Sequence, residues 1–394
     1  MKINTDEKKI QEVLTRGVEN IYPSGEEFEK ALVSGKQLII YNGIDPTGPT
    51  LHIGHGVVLL KLRELQNFGH KIILLIGDFT GMIGDPTDKT ATRKKLTRAE
   101  VLDNCKNYAK QAGKILDMEK VEIKYNSQWL GKLKAGDFLE LGSEITVQRL
   151  LERDMFEKRM EGGKPIYLHE FIYPLLQGYD SVAMNVDVEI GGNDQTFNML
   201  VGRDMMKNRG KEKFVLTTKL LVDPTGKKMG KTEGNMVALE DAPEEMYGKA
   251  MSWPDTLMPV AFEICTRAPT DEIKNILAGD PRDAKMRLAR EIVTLYYSAA
   301  AAKKAEENFV KIFQKKETPA EVQSLKLKMK SLNILELLVE TKLAASKSEA
   351  RRLVEQGGVK VGEEIIKDIK AVVEIPKEGV LIQKGKRYFI KVHN

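Results

Sequence analysis

Between residues 37 and 78 the chain is committed to a parallel sheet. The run Gln37-Leu38-Ile39-Ile40-Tyr41-Asn42-Gly43-Ile44 reads as a buried strand, and Lys71-Ile72-Ile73-Leu74-Leu75-Ile76-Gly77-Asp78 as another. Between them a turn, Asp45-Pro46-Thr47-Gly48-Pro49-Thr50, leads into Leu51-His52-Ile53-Gly54-His55, which opens an apolar helix running to about Asn67. Such a strand–helix–strand unit needs a right-handed crossover and implies parallel strands, and ligands then sit beyond their carboxyl ends. Asp45 falls at that edge, as does the loop Gly84-Asp85-Pro86-Thr87-Asp88-Lys89-Thr90-Ala91-Thr92-Arg93. The expected class is therefore α/β, with a Rossmann-like parallel-sheet domain that binds a nucleotide.

The helix start itself suits an anion. Its free backbone N–H groups and its dipole favour phosphate. His52 and His55 are three residues apart and share one helix face. Gly54 puts no side chain between them, so a base or ribose can lie against the backbone. Histidines at i and i+3 can also chelate a metal, but no third ligand stands nearby, and no metal site is expected. Far along the chain, Lys228-Met229-Gly230-Lys231-Thr232 follows a strand (214–221) and the turn Asp223-Pro224-Thr225-Gly226. Two ammonium groups on a glycine-containing loop can close over a departing pyrophosphate. In this order the two motifs resemble the HIGH and KMSKS sequences of class I aminoacyl-tRNA synthetases. The first matches letter for letter at 52–55. In the second both lysines are kept, Gly230 stands in place of Ser, and Thr232 supplies the final hydroxyl.

At 394 residues, 42% hydrophobic and 30% charged, the chain has room for two or three domains with a real core. No apolar run is long enough to span a membrane, and the start, Met1-Lys2-Ile3-Asn4-Thr5-Asp6, has no signal-peptide core. Two cysteines, Cys105 and Cys265, make neither a disulfide framework nor a metal cluster. A cytoplasmic setting is expected. A net charge of +5 neither demands nor excludes nucleic acid, so any RNA contact must come from local patches. Residues 1–30 read as a polar helix with a loop at Tyr22-Pro23-Ser24-Gly25. Residues 1–234 read as the catalytic domain, interrupted at about 95–190 by a mostly helical insertion. A helical domain at 235–316, a linker at 317–331 and a small α+β domain at 332–394 follow.

Three further clusters look like pocket walls. Tyr173, Gln177 and Asp180 fall at i, i+4 and i+7 of a helical stretch, a stripe of polar tips where a core helix would carry Leu or Ile. The strand 186–190 ends in Gly191-Gly192-Asn193-Asp194-Gln195, where glycines allow close backbone approach and Asp194 can accept from ribose hydroxyls. Asp45 and Thr47 occupy the strand-to-helix turn, as ligands or as helix caps.

Assembled in order, Tyr41-x-Gly43-x-Asp45-Pro46-Thr47, the histidine motif, Gly84-Asp85-Pro86, Tyr173-x-x-x-Gln177-x-x-Asp180, Gly191-Gly192-x-Asp194-Gln195 and the lysine loop resemble the bacterial tyrosyl-tRNA synthetase family over essentially the whole chain. The resemblance implies that Tyr41 and Asp180 hold a phenol, and that Asp85, Tyr173 and Gln177 hold an ammonium group, with Asn126 as a further candidate. It implies that Asp45, Gly192, Asp194 and Gln195 hold carboxylate, ribose or adenylate, and that Gly43, Gly54 and Met229 belong to the same nucleotide site. Thr47, His52, His55, Lys89, Arg93, Lys228, Lys231 and Thr232 would face phosphates. Some branches of the family carry Cys and Trp where this chain has Asn42 and Thr196. The implied partners are ATP, L-tyrosine, tRNA(Tyr), Mg2+ accompanying ATP and pyrophosphate, and a second copy of the chain docked through the insertion. No bound organic cofactor is implied.

The last segment resembles an S-four-like RNA-binding module. Ser346-Lys347-Ser348-Glu349 reads as a capping box for a helix carrying Lys347, Arg351 and Arg352, which stops at Gly357-Gly358. Short strands follow, beginning with Val359-Lys360-Val361. A basic helix beside a Gly-Gly turn suits RNA phosphates; a solvated charged helix is the plainer alternative. Other nucleotidyl-transferring enzymes share an H-x-G-H motif but lack the lysine loop, and a non-catalytic relative would be expected to have lost His52, Lys228 or Asp180. Tryptophan is the nearest alternative substrate.

Overall fold

The computed structural model describes residues 3–85, 95–222, 236–314, 323–385 and 388–394. The chain divides into two compact units, Met1–Ala302 and Lys303–Asn394. The first is built on a six-stranded sheet of β1 (Val18–Tyr22), β2 (Ile39–Ile44), β3 (Lys71–Ile76), β4 (Val121–Tyr125), β5 (Val188–Gly192) and β6 (Phe214–Thr218), ordered β1-β6-β5-β2-β3-β4. From β6 to β4 all neighbours are parallel, and β1 pairs antiparallel with β6. The strand–helix–strand unit is as expected. In β2 and β3, Ile39 pairs with Lys71 through to Ile44 with Ile76, and helix Ile53–Asn67 connects them. Ile40, Ile72 and Leu74 are fully buried, which is why both strands read as unbroken apolar runs: a central parallel strand is covered on both faces.

Two strands were not legible. Residues 1–30 hold helices Glu7–Thr15 and Gly25–Val33 with β1 between them, not one polar helix with a loop. Strand β4 lies inside the stretch expected to be a helical insertion, and it extends the sheet beyond β3. Both are edge strands, half covered, so Val-Glu-Asn-Ile-Tyr and Val-Glu-Ile-Lys-Tyr mix polar and apolar residues and lack the apolar run of a central strand. The helices after the lysine loop, expected to form a separate domain over 235–316, belong up to Ala302 to the same compact unit as the sheet. One cause is Arg16, whose guanidinium donates to the backbone oxygens of Glu263, Thr266 and Ala268 at 3.0, 2.8 and 2.8 Å.

The second unit carries a five-stranded sheet of β7 (Gln323–Lys326), β9 (Val359–Val361), β10 (Glu364–Ile366), β12 (Val380–Lys384) and β13 (Tyr388–His393), and a two-stranded one of β8 (Ser331–Asn333) and β11 (Val372–Glu374). Strand β7 falls in the stretch expected to be a linker. It pairs parallel to β13, a partner some seventy residues away that local composition cannot announce. Helix Lys347–Glu355 begins as expected, with the Ser346 hydroxyl accepting from Glu349 N. Glu349 reaches back to Ala345 N at 2.8 Å instead of Ser346 N, so the capping box is displaced by one residue. Gly357, at φ +68°, ends the helix in the left-handed conformation. Ile334, Leu337, Leu338, Val354, Val359, Ile382 and Val392 form a fully buried apolar core.

Candidate active site

A cleft of about 450 Å³, its open mouth included, lies at the carboxyl ends of β2, β3 and β5. Its walls come from three places. Strand β2 supplies Tyr41 and Gly43, and the turn after it Asp45; β5 and its end supply Glu189 and Gln195; helix Leu168–Met184 supplies Tyr173, Gln177 and Asp180. The expected polar stripe therefore does face a cavity. The helix packs closely on helix Thr196–Asn208 where the two cross at a pair of glycines. A Cβ on Gly178 would stand 3.1 Å from Gly202 N.

Asp180 is 3% exposed and sits at the inner end. Trp129 Nε1 donates to one of its oxygens at 2.7 Å, and Asn126 Nδ2 to the other at 3.2 Å. Burial pushes its carboxyl well above the usual range, and these two donors pull it back. Tyr41 also lines this end, but its hydroxyl is 2.8 Å from Ser181 Oγ. Burial and the Glu189 charge hold the Tyr41 phenol above its ordinary value. Asn126, fully buried, also accepts from Phe79 N and donates to Thr80 Oγ1, both at 2.9 Å. It thus supports the cleft from behind, beside Asp180.

Toward the mouth, Asp45 accepts from the Tyr173 hydroxyl at 2.8 Å and from Thr80 Oγ1 at 2.6 Å. Asp85 accepts from Gln195 Nε2 at 2.7 Å and lies 3.8 Å from the Arg153 guanidinium. Desolvation first, then the Asp45 and Asp85 charges, push the Tyr173 phenol well up. Gln177 Nε2 donates to Glu189 Oε1 at 3.2 Å, and Gln177 Oε1 is buried with no partner among the described residues. An unpaired buried carbonyl oxygen beside a cleft rimmed by carboxylates is a receptor for a cation's N–H.

Beyond the mouth lies the helix start. His52 caps helix Ile53–Asn67, and His52 and His55 accept reciprocally, Gly54 N to His52 Nδ1 and His52 N to His55 Nδ1, both at 3.2 Å. Their rings stand 4.0 Å apart. The His52 ring lies over Gly54, where a Cβ would come within 3.0 Å of it. Thr47 is exposed on the preceding turn, which is held by Tyr108 and Gln111 donating to Gly48 O and Pro49 O. The chain leaving the lysine loop is tied to the same place: Ile53 N donates to Val237 O at 2.9 Å and Leu239 N to Leu51 O at 3.0 Å. Lys89 and Arg93, and Lys228, Met229, Lys231 and Thr232, lie outside the described residues.

Residues 34–314 match the family model for class I tRNA synthetases of the W and Y type, and residues 314–392 match the C-terminal domain of tyrosine–tRNA ligases. The chain is 45% identical to the tyrosine–tRNA ligase of Moorella thermoacetica over 100% of its own length and 97% of the relative's. It is 46% identical to that of Thermotoga maritima over 98% of both. It belongs to the class I tyrosyl-tRNA synthetases. Among solved structures, a truncated mitochondrial synthetase from Coccidioides posadasii shares 25% identity at a TM-score of 0.62, covering 76% of this chain and 91% of that one. The Archaeoglobus fulgidus tyrosyl-tRNA synthetase, solved with L-tyrosine, shares the fold at a TM-score of 0.61 and 22% identity, covering 76% of this chain and all of that one.

Within the synthetase, the two exchanges noted in the sequence have local structural uses. Asn42 Nδ2 donates to Ile190 O at 2.8 Å, tying β2 to β5, and the Thr196 hydroxyl donates to Asn193 O at 2.6 Å, closing the turn after β5. Gly192 leaves room for the Asp194 carboxylate, which a Cβ there would meet at 2.6 Å and push aside. Asp194 itself is half-buried beside that strand end. Sequence reasoning missed Thr80, Trp129, Ser181, Glu189 and Lys213. Ser181 follows Asp180 and could have been suspected, and Trp129 is one of only two tryptophans. Nothing in the sequence marks Lys213 as buried. On the C-terminal unit Lys347, Arg351 and Arg352 are exposed and Lys360 is half-buried. Lys347 pairs with Glu336 at 2.7 Å, although its side chain remains 65% exposed. No helix among the described residues is long and apolar enough to cross a membrane.

Proposed function

We propose that the protein is an ATP-dependent tyrosine–tRNA ligase that works in translation. The tyrosine carboxylate attacks the α-phosphorus of ATP, pyrophosphate leaves, and the tyrosyl group passes to the 3′-terminal ribose of tRNA(Tyr). Neither step calls for a protein nucleophile, so the residues act by positioning and by stabilising charge. The observation that carries the reading is the polar stripe of Tyr173, Gln177 and Asp180 facing the cleft. Its inner end suits a phenol between Tyr41 and Asp180. Farther out, the Gln177 carbonyl, Tyr173 and Asp85 suit an ammonium group. Asp45, Gly43, Gly54, Gly192, Asp194, Gln195 and Met229 are assigned to the adenylate. His52, His55 and Thr47, with Lys89, Arg93, Lys228, Lys231 and Thr232, are assigned to the phosphates, with Mg2+ accompanying pyrophosphate.

Lys347, Arg351, Arg352 and Lys360 are assigned to tRNA. A homodimer joined through the 95–190 region accounts for Leu139 and Leu168, which are 77% and 76% exposed in the single chain. A cytoplasmic setting goes with this role. Tyrosine-dependent exchange of labelled pyrophosphate into ATP tests the reading. Exchange should be strong with tyrosine and weak with phenylalanine or tryptophan; no exchange with tyrosine would overturn it.

A further inference from the structure

Behind the amino-acid end of the cleft lies an ion pair that none of the chemistry above uses. Lys213, just before β6, is 0% exposed, and Glu189 on β5 is 2% exposed. Lys213 Nζ donates to Glu189 Oε2, and to Ser181 Oγ at 2.8 Å. Room for the ammonium comes from Gly202, where a Cβ would stand 2.8 Å from Nζ and 3.0 Å from Ser181 Oγ. Burying two charges costs several kcal/mol per ion before their attraction is counted, and apolar residues often replace such pairs without loss of stability. This pair is therefore a poor device for stability alone.

What it does fix is the direction of the hydrogen bonds on either side. An ammonium group only donates and a carboxylate only accepts. Ser181 Oγ accepts from Lys213 at 2.8 Å and has one proton to give, while Glu189 Oε2, already engaged by Lys213, lies 3.4 Å away. The Tyr41 hydroxyl oxygen, 2.8 Å from the same Ser181 oxygen, is the nearer acceptor for that proton, which leaves the Tyr41 proton to be donated into the cleft. At the other carboxylate oxygen, Glu189 Oε1 accepts from Gln177 Nε2. That bond fixes the amide so that Gln177 Oε1, buried and without a partner among the described residues, is the end left for a ligand.

We propose that Lys213 and Glu189 are positioning residues that set the hydrogen-bond polarity of the pocket, making Tyr41 a donor to the phenol oxygen of tyrosine, whose own proton goes to Asp180, and Gln177 an acceptor for its ammonium group. The proposal rests on the tyrosine-ligase reading and assigns residues to it. Two variants test it by pyrophosphate exchange and thermal melting. Lys213→Met with Glu189→Gln removes both charges at similar volume and lets the new amide donate or accept. It should melt close to wild type, with KM for tyrosine raised about three- to tenfold, the scale of one neutral hydrogen bond, and KM for ATP unchanged. Ser181→Ala keeps the ion pair and cuts only the link to Tyr41. It should weaken tyrosine by a similar factor and leave phenylalanine activation as it was, because Gln177 keeps its partner. Wild-type KM for tyrosine in the double variant would overturn the proposal. So would equal losses for tyrosine and phenylalanine in Ser181→Ala, or a lowered melting temperature and kcat with both KM values intact. Absence of tyrosine-dependent exchange in the wild type would instead sink the ligase reading itself.

Discussion

The amino-acid pocket and the basic helix of the C-terminal unit are both built from polar side chains, and they use them in opposite ways. In the pocket Tyr41, Asp180, Glu189 and Lys213 are each at most 3% exposed, and their polar atoms are held by neighbours at hydrogen-bond distance. Removing one group there strands others away from water, where an unmade bond carries its full penalty. On helix Lys347–Glu355 the charges stand in solvent, where each is screened and contributes little alone. A pocket of this kind can therefore discriminate by single atoms, while the helix, in the tRNA-binding role proposed for it, can only sum many weak attractions to a polyanion.

The largest expected effect comes from Asp180→Ala. It removes a buried acceptor and leaves Trp129 Nε1 and Asn126 Nδ2 without their partner. For a bond to a carboxylate the cost is about 1.5–3 kcal/mol, roughly ten- to a hundredfold in kcat/KM for tyrosine activation. Phenylalanine should suffer much less, since it lacks the hydroxyl. Tyrosine activation is the usual illustration of how strongly a pocket with buried polar partners rejects the analogue lacking a hydroxyl; what this structure adds is which groups are stranded. Equal losses for the two amino acids in steady-state exchange would mean that Asp180 only supports the fold, and the contrast with the C-terminal helix would weaken.

Removing the C-terminal unit comes next. The cut belongs before Gln323, because a chain ended at 331 would keep β7 without its partner β13. Adenylate formation should be spared and transfer to tRNA should fall sharply, with tRNA affinity less dependent on salt as fewer phosphates are neutralised. Full-rate charging by the shortened chain across salt concentrations would break the comparison from the other side. The smallest effect is that of Arg351→Ala. It should weaken tRNA binding uniformly across sequences and lower the slope of log K against log salt by about one, with pyrophosphate exchange unchanged. A loss of tRNA affinity independent of salt would show that Arg351 reads shape or bases and not phosphate.

Much of the site was legible because its residues sit where local rules are strong. The histidine pair was readable as a helix start after a turn, and His52 does cap that helix. Tyr173, Gln177 and Asp180 were readable as a polar stripe because helical spacing puts them on one face whatever surrounds them. Edge strands β1 and β4 were not, since half-covered strands lack a continuous apolar run. Strand β7 was not either, because its partner is distant in sequence.

What the sequence by itself determined is the parallel strand–helix–strand unit, the face of the helix that carries the polar tips, and the histidine motif as a helix start; each follows from spacing and residue type over a few turns of chain. Only the tertiary structure decided how those polar tips are partnered. Tyr41 meets Ser181 and not Asp180, Tyr173 meets Asp45, and Lys213 lies fully buried against Glu189. These pairings join residues 24 to 140 positions apart. A buried polar atom takes whichever partner the packing of β5, β6 and two crossing helices brings within about 3 Å, and no local pattern encodes that choice.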